Sequence, residues 1–284
     1  MPNVRTVADM AATIACNLHR IDRTAFDVVV GIPRSGMIPA SIIATSLQMP
    51  LADLGGYING IVHGRSGRHE AAGKRVLLVD DSCNKGRAMG RAVAIIRSRV
   101  PKVQITRLAV YAPYQLADPG AAVDITFDEC HGPRVFAWNL WKHRRLPRWG
   151  FDFDGVFCRD PAKAENDDGP RYLAFLASAE PLFLPQRPIG HIVTGRLERY
   201  REPTEAWLHR HGIEFESLTM MPYATKAERM AAGNRGGWKA GVVRGLGVEM
   251  FVESCPKQAK IIARESGVRV FCTRSQEVCD AQGL

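Results

Sequence analysis

The stretch Val76-Leu77-Leu78-Val79-Asp80-Asp81-Ser82-Cys83-Asn84-Lys85-Gly86-Arg87-Ala88-Met89 decides how the first half of this sequence reads. An apolar run, Arg75–Val79, ends in two adjacent carboxylates and a short loop. It then gives way to Arg87–Arg99, where apolar residues recur at helical spacing. A buried strand, a tight loop and a helix N-terminus in that order form the place where open α/β sheets bind ligands. The helix start offers free N–H groups and a positive dipole end, which suit a phosphate. Gly86 lets the backbone come close, and Asp80 and Asp81 can accept hydrogen bonds from ribose hydroxyls.

Upstream, Val28–Ile32 runs into Pro33-Arg34-Ser35-Gly36-Met37 and a helix over 37–47, again strand, glycine loop and helix, with Arg34 available for a diphosphate. Ile105–Tyr111 reads as a third strand. In the second half, strands are predicted at Trp149–Phe153, Ile189–Val193, Met250–Glu253 and Val268–Cys272, and helices at Pro203–His211, Trp238–Leu246 and Pro256–Ser266. Alternation of this kind predicts a parallel α/β architecture, and 284 residues suit about two domains. The basic, proline-punctuated segment Trp138–Arg148 separates the halves, with the boundary placed near Leu146, giving domains 1–146 and 147–284. Two readings of it stay open: a solvated linker, or Trp138 and Trp141 completing a pocket of the first domain. Asp160–Pro170 is polar and reads as a surface loop.

The composition, 46% hydrophobic and 24% charged, is that of a folded globular chain. The net charge of +9 favours an anionic partner. The basic residues are dispersed and no zinc-finger, KH-type or RNP-like signature is present, so small phosphorylated substrates are expected and nucleic acid is not. Seven cysteines without metal or redox spacing, no apolar run of membrane-spanning length and no signal peptide point to a cytoplasmic chain.

Phe151-Asp152-Phe153-Asp154-Gly155-Val156 puts two carboxylates at alternate positions of a strand end, so that both point to one side. Strand Ile189–Val193 ends in Thr194-Gly195-Arg196. Lys239 precedes the strand that ends in Glu253, and Ser254 follows it.

The Asp80 segment resembles the phosphoribosyl-diphosphate (PRPP) motif of type I phosphoribosyltransferases, although Asn84, Lys85 and Ala88 stand where that family usually has hydroxyl residues. The resemblance implies that Ser82, Cys83, Asn84, Lys85 and Gly86 hold the 5-phosphate. It also implies that Arg34, Ser35 and Gly36 form the pyrophosphate loop and that Arg65, within His63–Arg68, belongs to a mobile lid. Asp80 and Asp81 then hold the ribose, and which group takes the acceptor's proton stays open. The second half resembles the haloacid dehalogenase superfamily. That resemblance implies Asp152 as the nucleophile, Asp154 as general acid and base, and Thr194 as the phosphoryl-holding hydroxyl. Lys239, or alternatively Lys226, is the neutralising lysine, and Asp152, Asp154 and Glu253 are the Mg2+ ligands. The intervals from Asp154 to Thr194 and from Thr194 to Lys239 are too short for a large cap, so an open site that admits bulky substrates is expected.

The two resemblances together imply an α/β chain in which a phosphoribosyltransferase-like parallel sheet precedes a Rossmannoid phosphatase domain with little or no cap. The implied activity is transfer of 5-phosphoribosyl from PRPP to a hydroxyl, on a glycan or lipid-linked saccharide, followed by removal of the 5-phosphate. The alternative is nucleobase or heterocycle ribosylation coupled to a 5'-nucleotidase. A PRPP-sensing module without turnover is the non-enzymatic reading. Tyr57, Tyr111, Trp138 and Trp141 are candidates for stacking on sugar rings, and equally for core packing. A homodimer and peripheral association with the inner face of the membrane are compatible with the resemblance.

Overall fold

The computed structural model describes residues 2–65, 72–113 and 123–281. The chain divides into two compact units, one of residues 7–134 and the other of residues 1–6 with 135–284. In the first, strands β2 (Val28–Gly31), β3 (Leu51–Asp53), β4 (Arg75–Ser82), β5 (Gln104–Ala112) and β6 (Ile125–Glu129) form a sheet in the order β3-β2-β4-β5-β6. All of its pairings are parallel. Helices α1 (Val7–Asn17), α2 (Met37–Ser46), α3 (Leu54–Ile58) and α4 (Arg87–Arg99) complete the unit. Val28–Val30 and Val76–Val79 are fully buried. Their unbroken apolar runs suit strands covered on both faces rather than an alternating, half-solvated strand.

The second unit has a six-stranded sheet in the order β10-β9-β8-β11-β12-β13. Its strands are β8 (Trp149–Phe151), β9 (Ile189–Leu197), β10 (Phe215–Met221), β11 (Met250–Glu253), β12 (Val270–Cys272) and β13 (Glu277–Cys279), and only β13 runs antiparallel to its neighbour. Helices α5 (Pro170–Ser178), α6 (Arg201–Arg210), α7 (Lys226–Ala232), α8 (Arg235–Leu246) and α9 (Pro256–Ser266) belong to it. A separate two-stranded ribbon joins β1 (Asn3–Arg5) to β7 (Arg134–Phe136). Between β8 and β9 the chain holds one helix, α5, and no inserted domain.

The division falls between Arg134 and Val135, not near Leu146. The segment taken for a linker or a first-domain pocket forms two short 3-10 helices, 137–142 and 146–148, that pack into the second core. Leu140 and Leu146 are buried there, and Trp141 meets Phe151, Phe157 and Phe183, with ring centroids 5.2 Å apart in the stacked pair with Phe183. Trp138 stacks on Phe136 at 4.9 Å. The positive charges on Lys142, Arg144, Arg145 and Arg148 hid an apolar face. Among the described residues no helix is long and apolar enough to cross a membrane.

Candidate active sites

In the first unit the carboxyl end of β4 brings Asp80 and Asp81 to the loop 82–86. Gly86 has φ +67 and caps α4, a backbone conformation that L side chains rarely adopt. The two predicted loops converge. A Cβ on Gly36 would stand 2.6 Å from the Ile32 carbonyl oxygen, 2.8 Å from that of Val79 and 3.0 Å from Asp80 Oδ1, so the 33–36 turn lies directly against the end of β4. The Pro33–Arg34 peptide is cis. Asp80, 8% exposed, is pushed up to about 8, first by burial and then by the neighbouring Asp81 carboxylate.

A cavity of about 360 Å3 is lined by Asp80, Ser82, Asn84, Lys85, Gly86 and Arg91 among others. Cys83 also borders it, but its side chain is buried with Ala109 and Ala112, and burial raises its thiol. Arg87 and Arg91 add positive charge that the motif reading did not include; their only sequence signal was the basic start of α4. Arg34 and Arg65 are exposed and do not line this cavity, and Ser66, Gly67 and Arg68 of the expected lid lie outside the described residues. Tyr57 and Tyr111 are core residues, 1% and 0% exposed, and the Tyr57 hydroxyl donates to the Gly73 carbonyl at 2.7 Å. Neither can stack on a ligand.

In the second unit β8 stops at Phe151, one residue before Asp152, and the Asp152 N–H donates to the Val252 carbonyl at 2.8 Å. Lys239, buried on α8, lies 2.8 Å from Asp152 Oδ2 and 2.7 Å from Glu253 Oε2. Glu253 Oε1 accepts the Ser254 and Cys255 N–H groups at 2.9 and 3.0 Å. Burial and the facing Glu253 push Asp152 well above the usual carboxylate range, and Lys239 only partly opposes them. Burial would raise Glu253 as well, but Lys239 and the hydrogen bonds outweigh it and hold Glu253 low. Lys226 is elsewhere: its ammonium donates to the Asn166 carbonyl, and its N–H donates to Asp168 at 2.8 Å.

Asp154 is held by a residue the sequence reading left without a role. Arg196, fully buried, donates Nη2 to Asp154 Oδ1 at 2.7 Å and Nε to both oxygens at 3.2 Å, over the Phe153 ring at 3.7 Å. Its position directly after Thr194-Gly195 was the available signal. Thr194 is fully buried, its hydroxyl accepts the Arg196 N–H at 3.2 Å, and Gly195 rather than Thr194 borders the cavity. That cavity, of 300 Å3, brings together Asp152, Asp154, Lys239, Ser254, Arg229 and Arg235. The 160–170 segment is more than a surface loop, since Asp160, Pro161 and Asn166 form part of the wall. Arg159–Glu165 at 2.6 Å and Arg199–Asp168 at 2.8 Å fix it.

The oxygens at this cavity that could hold a cation are the Asp152 carboxylate and the Asp154 carbonyl, which accepts the Ser254 hydroxyl at 3.0 Å. The expected ligand Glu253 is fully buried, does not border the cavity, and commits Oε2 to Lys239 and Oε1 to the Ser254 and Cys255 N–H groups. Among the described residues no three His, Cys, Asp or Glu side chains form a metal-holding group. Two buried carboxylates share the one Lys239 ammonium. A hard divalent cation that keeps most of its waters fits such a set.

A buried parallel sheet with a carboxylate pair and a glycine loop at its carboxyl edge is the place where open α/β domains bind ligands. Residues 3–139 match the phosphoribosyl transferase domain family. Among solved structures, the chain is similar to a purine phosphoribosyltransferase from Pyrococcus horikoshii Ot3, with 17% identity and a TM-score of 0.36 over 48% of this chain and 93% of that one. A Helicobacter pylori xanthine-guanine-hypoxanthine phosphoribosyltransferase gives 10% identity and 0.37 over 49% and 93%. An orotate phosphoribosyltransferase from Aeropyrum pernix gives 18% and 0.30 over 43% and 68%. No curated protein matches the chain.

Proposed function

We propose that the chain is a bifunctional enzyme. Its first unit transfers 5-phosphoribosyl from PRPP to an acceptor hydroxyl on a glycan, and its second hydrolyses the 5-phosphate to leave a ribofuranosyl residue. The observation that carries the reading is the placement of Asp152, Lys239 and Glu253 in contact at the carboxyl edge of a sheet in which β8 lies between β9 and β11. That order supports the haloacid dehalogenase resemblance, because the acid pair follows β8, the Thr194 turn ends β9 and the second acid ends β11.

In the transfer step the acceptor hydroxyl oxygen attacks the anomeric carbon as its bond to diphosphate breaks, and the hydroxyl proton leaves with the diphosphate. Asp80 and Asp81 hold the ribose hydroxyls, and the 82–86 loop with the start of α4 holds the 5-phosphate. In the hydrolysis step Asp152 attacks phosphorus and the ribose 5-oxygen leaves with a proton from Asp154. Water, giving a proton to Asp154, then attacks the phosphorus of the aspartyl phosphate, which releases inorganic phosphate and returns Asp152. Lys239 neutralises the charge that collects on Asp152 and the phosphoryl oxygens, and Arg196 fixes the orientation of Asp154. Asp152 and the Asp154 carbonyl would hold Mg2+, which would supply further positive charge to the phosphate. Removal of the 5-phosphate undoes what base salvage needs and suits a riboside that stays on its acceptor.

The test is mass spectrometry of products from PRPP, Mg2+ and a panel of glycosides and nucleobases, with the native chain and Asp152→Asn. A pentose added by the native chain and a phosphopentose added by the variant support the reading and identify the acceptor class. An adduct on nucleobases alone establishes the nucleotidase alternative, and no adduct on any acceptor overturns the transfer step.

A further inference from the structure

The cavity beside Asp152 carries more positive charge than its carboxylates use. Asp152, Asp154 and Asp160 border it, and each has a cation within ion-pair distance: Lys239, Arg196 and Arg274 respectively. Arg229 and Arg235 border it too, and no carboxylate among the described residues lies within ion-pair distance of either. Arg229, on α7, is 9% exposed; one Nη donates to the Gly195 carbonyl at 2.7 Å, while its buried Nε has no hydrogen-bond partner among the described residues. A buried guanidinium N–H left unmatched is costly unless something binds it. Burial and the charge of Arg235 both pull the Arg229 guanidinium below its ordinary value.

Arg235, the first residue of α8, places its Cδ 3.8 Å from where a Cβ on Gly195 would stand, so both arginines lie beside Gly195 on the cavity wall. Neither makes a hydrogen bond or ion pair with Asp152, Lys239 or Glu253, which set the position of the reacting phosphoryl group. On the same wall Gln258 Oε1 is buried without a partner and offers an acceptor to a hydroxyl.

We propose that Arg229 and Arg235 form a second anion subsite, which selects a sugar phosphomonoester carrying a further phosphate or carboxylate apart from the phosphate that is hydrolysed. This rests on the phosphatase reading of Asp152. In the two-step reaction the extra anion belongs to the aglycone, so the acceptor is a phosphorylated or carboxylated saccharide rather than a neutral one.

The test compares Asp152-dependent hydrolysis of ribose 1,5-bisphosphate and methyl riboside 5-phosphate by the full chain and by Arg235→Gln. Phenylglyoxal labelling of the exposed Arg235, read by peptide mass spectrometry, provides a measurement that needs no turnover. The native chain is expected to favour the bisphosphate about tenfold or more in kcat/KM, the scale of one charge-assisted hydrogen bond, and Arg235→Gln to erase that preference mainly through KM. Equal native kcat/KM values, or an equal loss for both substrates in the variant, overturn the subsite while leaving the phosphatase intact. If neither compound is hydrolysed, the phosphatase reading fails, and the labelling decides the subsite. Protection of Arg235 by the bisphosphate at lower concentration than by the methyl riboside upholds it, and equal protection overturns it.

Discussion

Both units end a buried parallel strand in carboxylates, yet they surround that charge with different partners. At the end of β4, Asp80 is desolvated beside another carboxylate, Asp81, and is pushed up to about 8. At the ends of β8 and β11, Asp152 and Glu253 face each other across the buried Lys239 ammonium, and Asp154 is gripped by the buried Arg196. The first arrangement keeps a proton near neutral pH and suits hydrogen bonding to sugar hydroxyls. The second places cations in the core, one ammonium shared by two carboxylates and a guanidinium on Asp154, and Asp152 still stands above its ordinary value. Two sites of similar topology thus differ in whether buried cations are built beside their carboxylates.

The largest expected effect that sharpens this contrast is on hydrolysis. Asp152→Asn should lower phosphomonoester hydrolysis on the order of 10^4-fold or more without lowering diphosphate release, measured in separate phosphate and diphosphate assays. Lys239→Met leaves two buried carboxylates without a cation and should destabilise the second unit by about 3–5 kcal/mol at pH 7, read by denaturant unfolding. Equal stability would mean that the contrast between the units is not electrostatic. Leu146→Ala should cost about 2–5 kcal/mol, and hydrogen exchange should quicken in peptides spanning residues 149–279 but not 28–112. The reverse pattern would return residues 135–146 to the first unit.

The smallest effect concerns pH. Asp80 holds its proton more tightly folded than unfolded, so its contribution to stability is full below the unfolded value near 3.8 and is lost as pH rises through about 8. Protection factors of β4 amides, which remove the base-catalysed rise of intrinsic exchange, should therefore fall between about pH 4 and 8, and Asp80→Asn should flatten that slope. An unchanged slope in the variant would remove Asp80 as its source.

Legibility followed burial and periodicity. The helices Arg87–Arg99 and Pro256–Ser266 and the strand Met250–Glu253 were readable to the residue, because apolar spacing and flanking Gly, Pro or Val mark their limits. Three-residue strands such as Leu51–Asp53 carry too little pattern to register, and β10 mixes polar with apolar residues. At the sites, the acids could be placed because each ends an apolar run. Lys239 lies 14 residues before Glu253, and only folding shows that it, rather than Lys226, reaches Asp152. Arg229 had no local signal, because its role depends on the carbonyl of Gly195 in a different strand. The Trp138–Arg148 segment misled because its charges dominate its composition while Leu140, Trp141 and Leu146 determine where it packs.

The pairing of Asn3–Arg5 with Arg134–Phe136 has a consequence for biosynthesis. Val4 belongs to the core of the second unit, although the whole first unit is translated before its partner strand exists. The β3-β2-β4-β5-β6 sheet can therefore close on the ribosome while Asn3–Arg5 waits as an unpaired tail. A segment that emerges early is among the last to find its place, and a stalled nascent chain ending before residue 134 would leave it open to proteolysis.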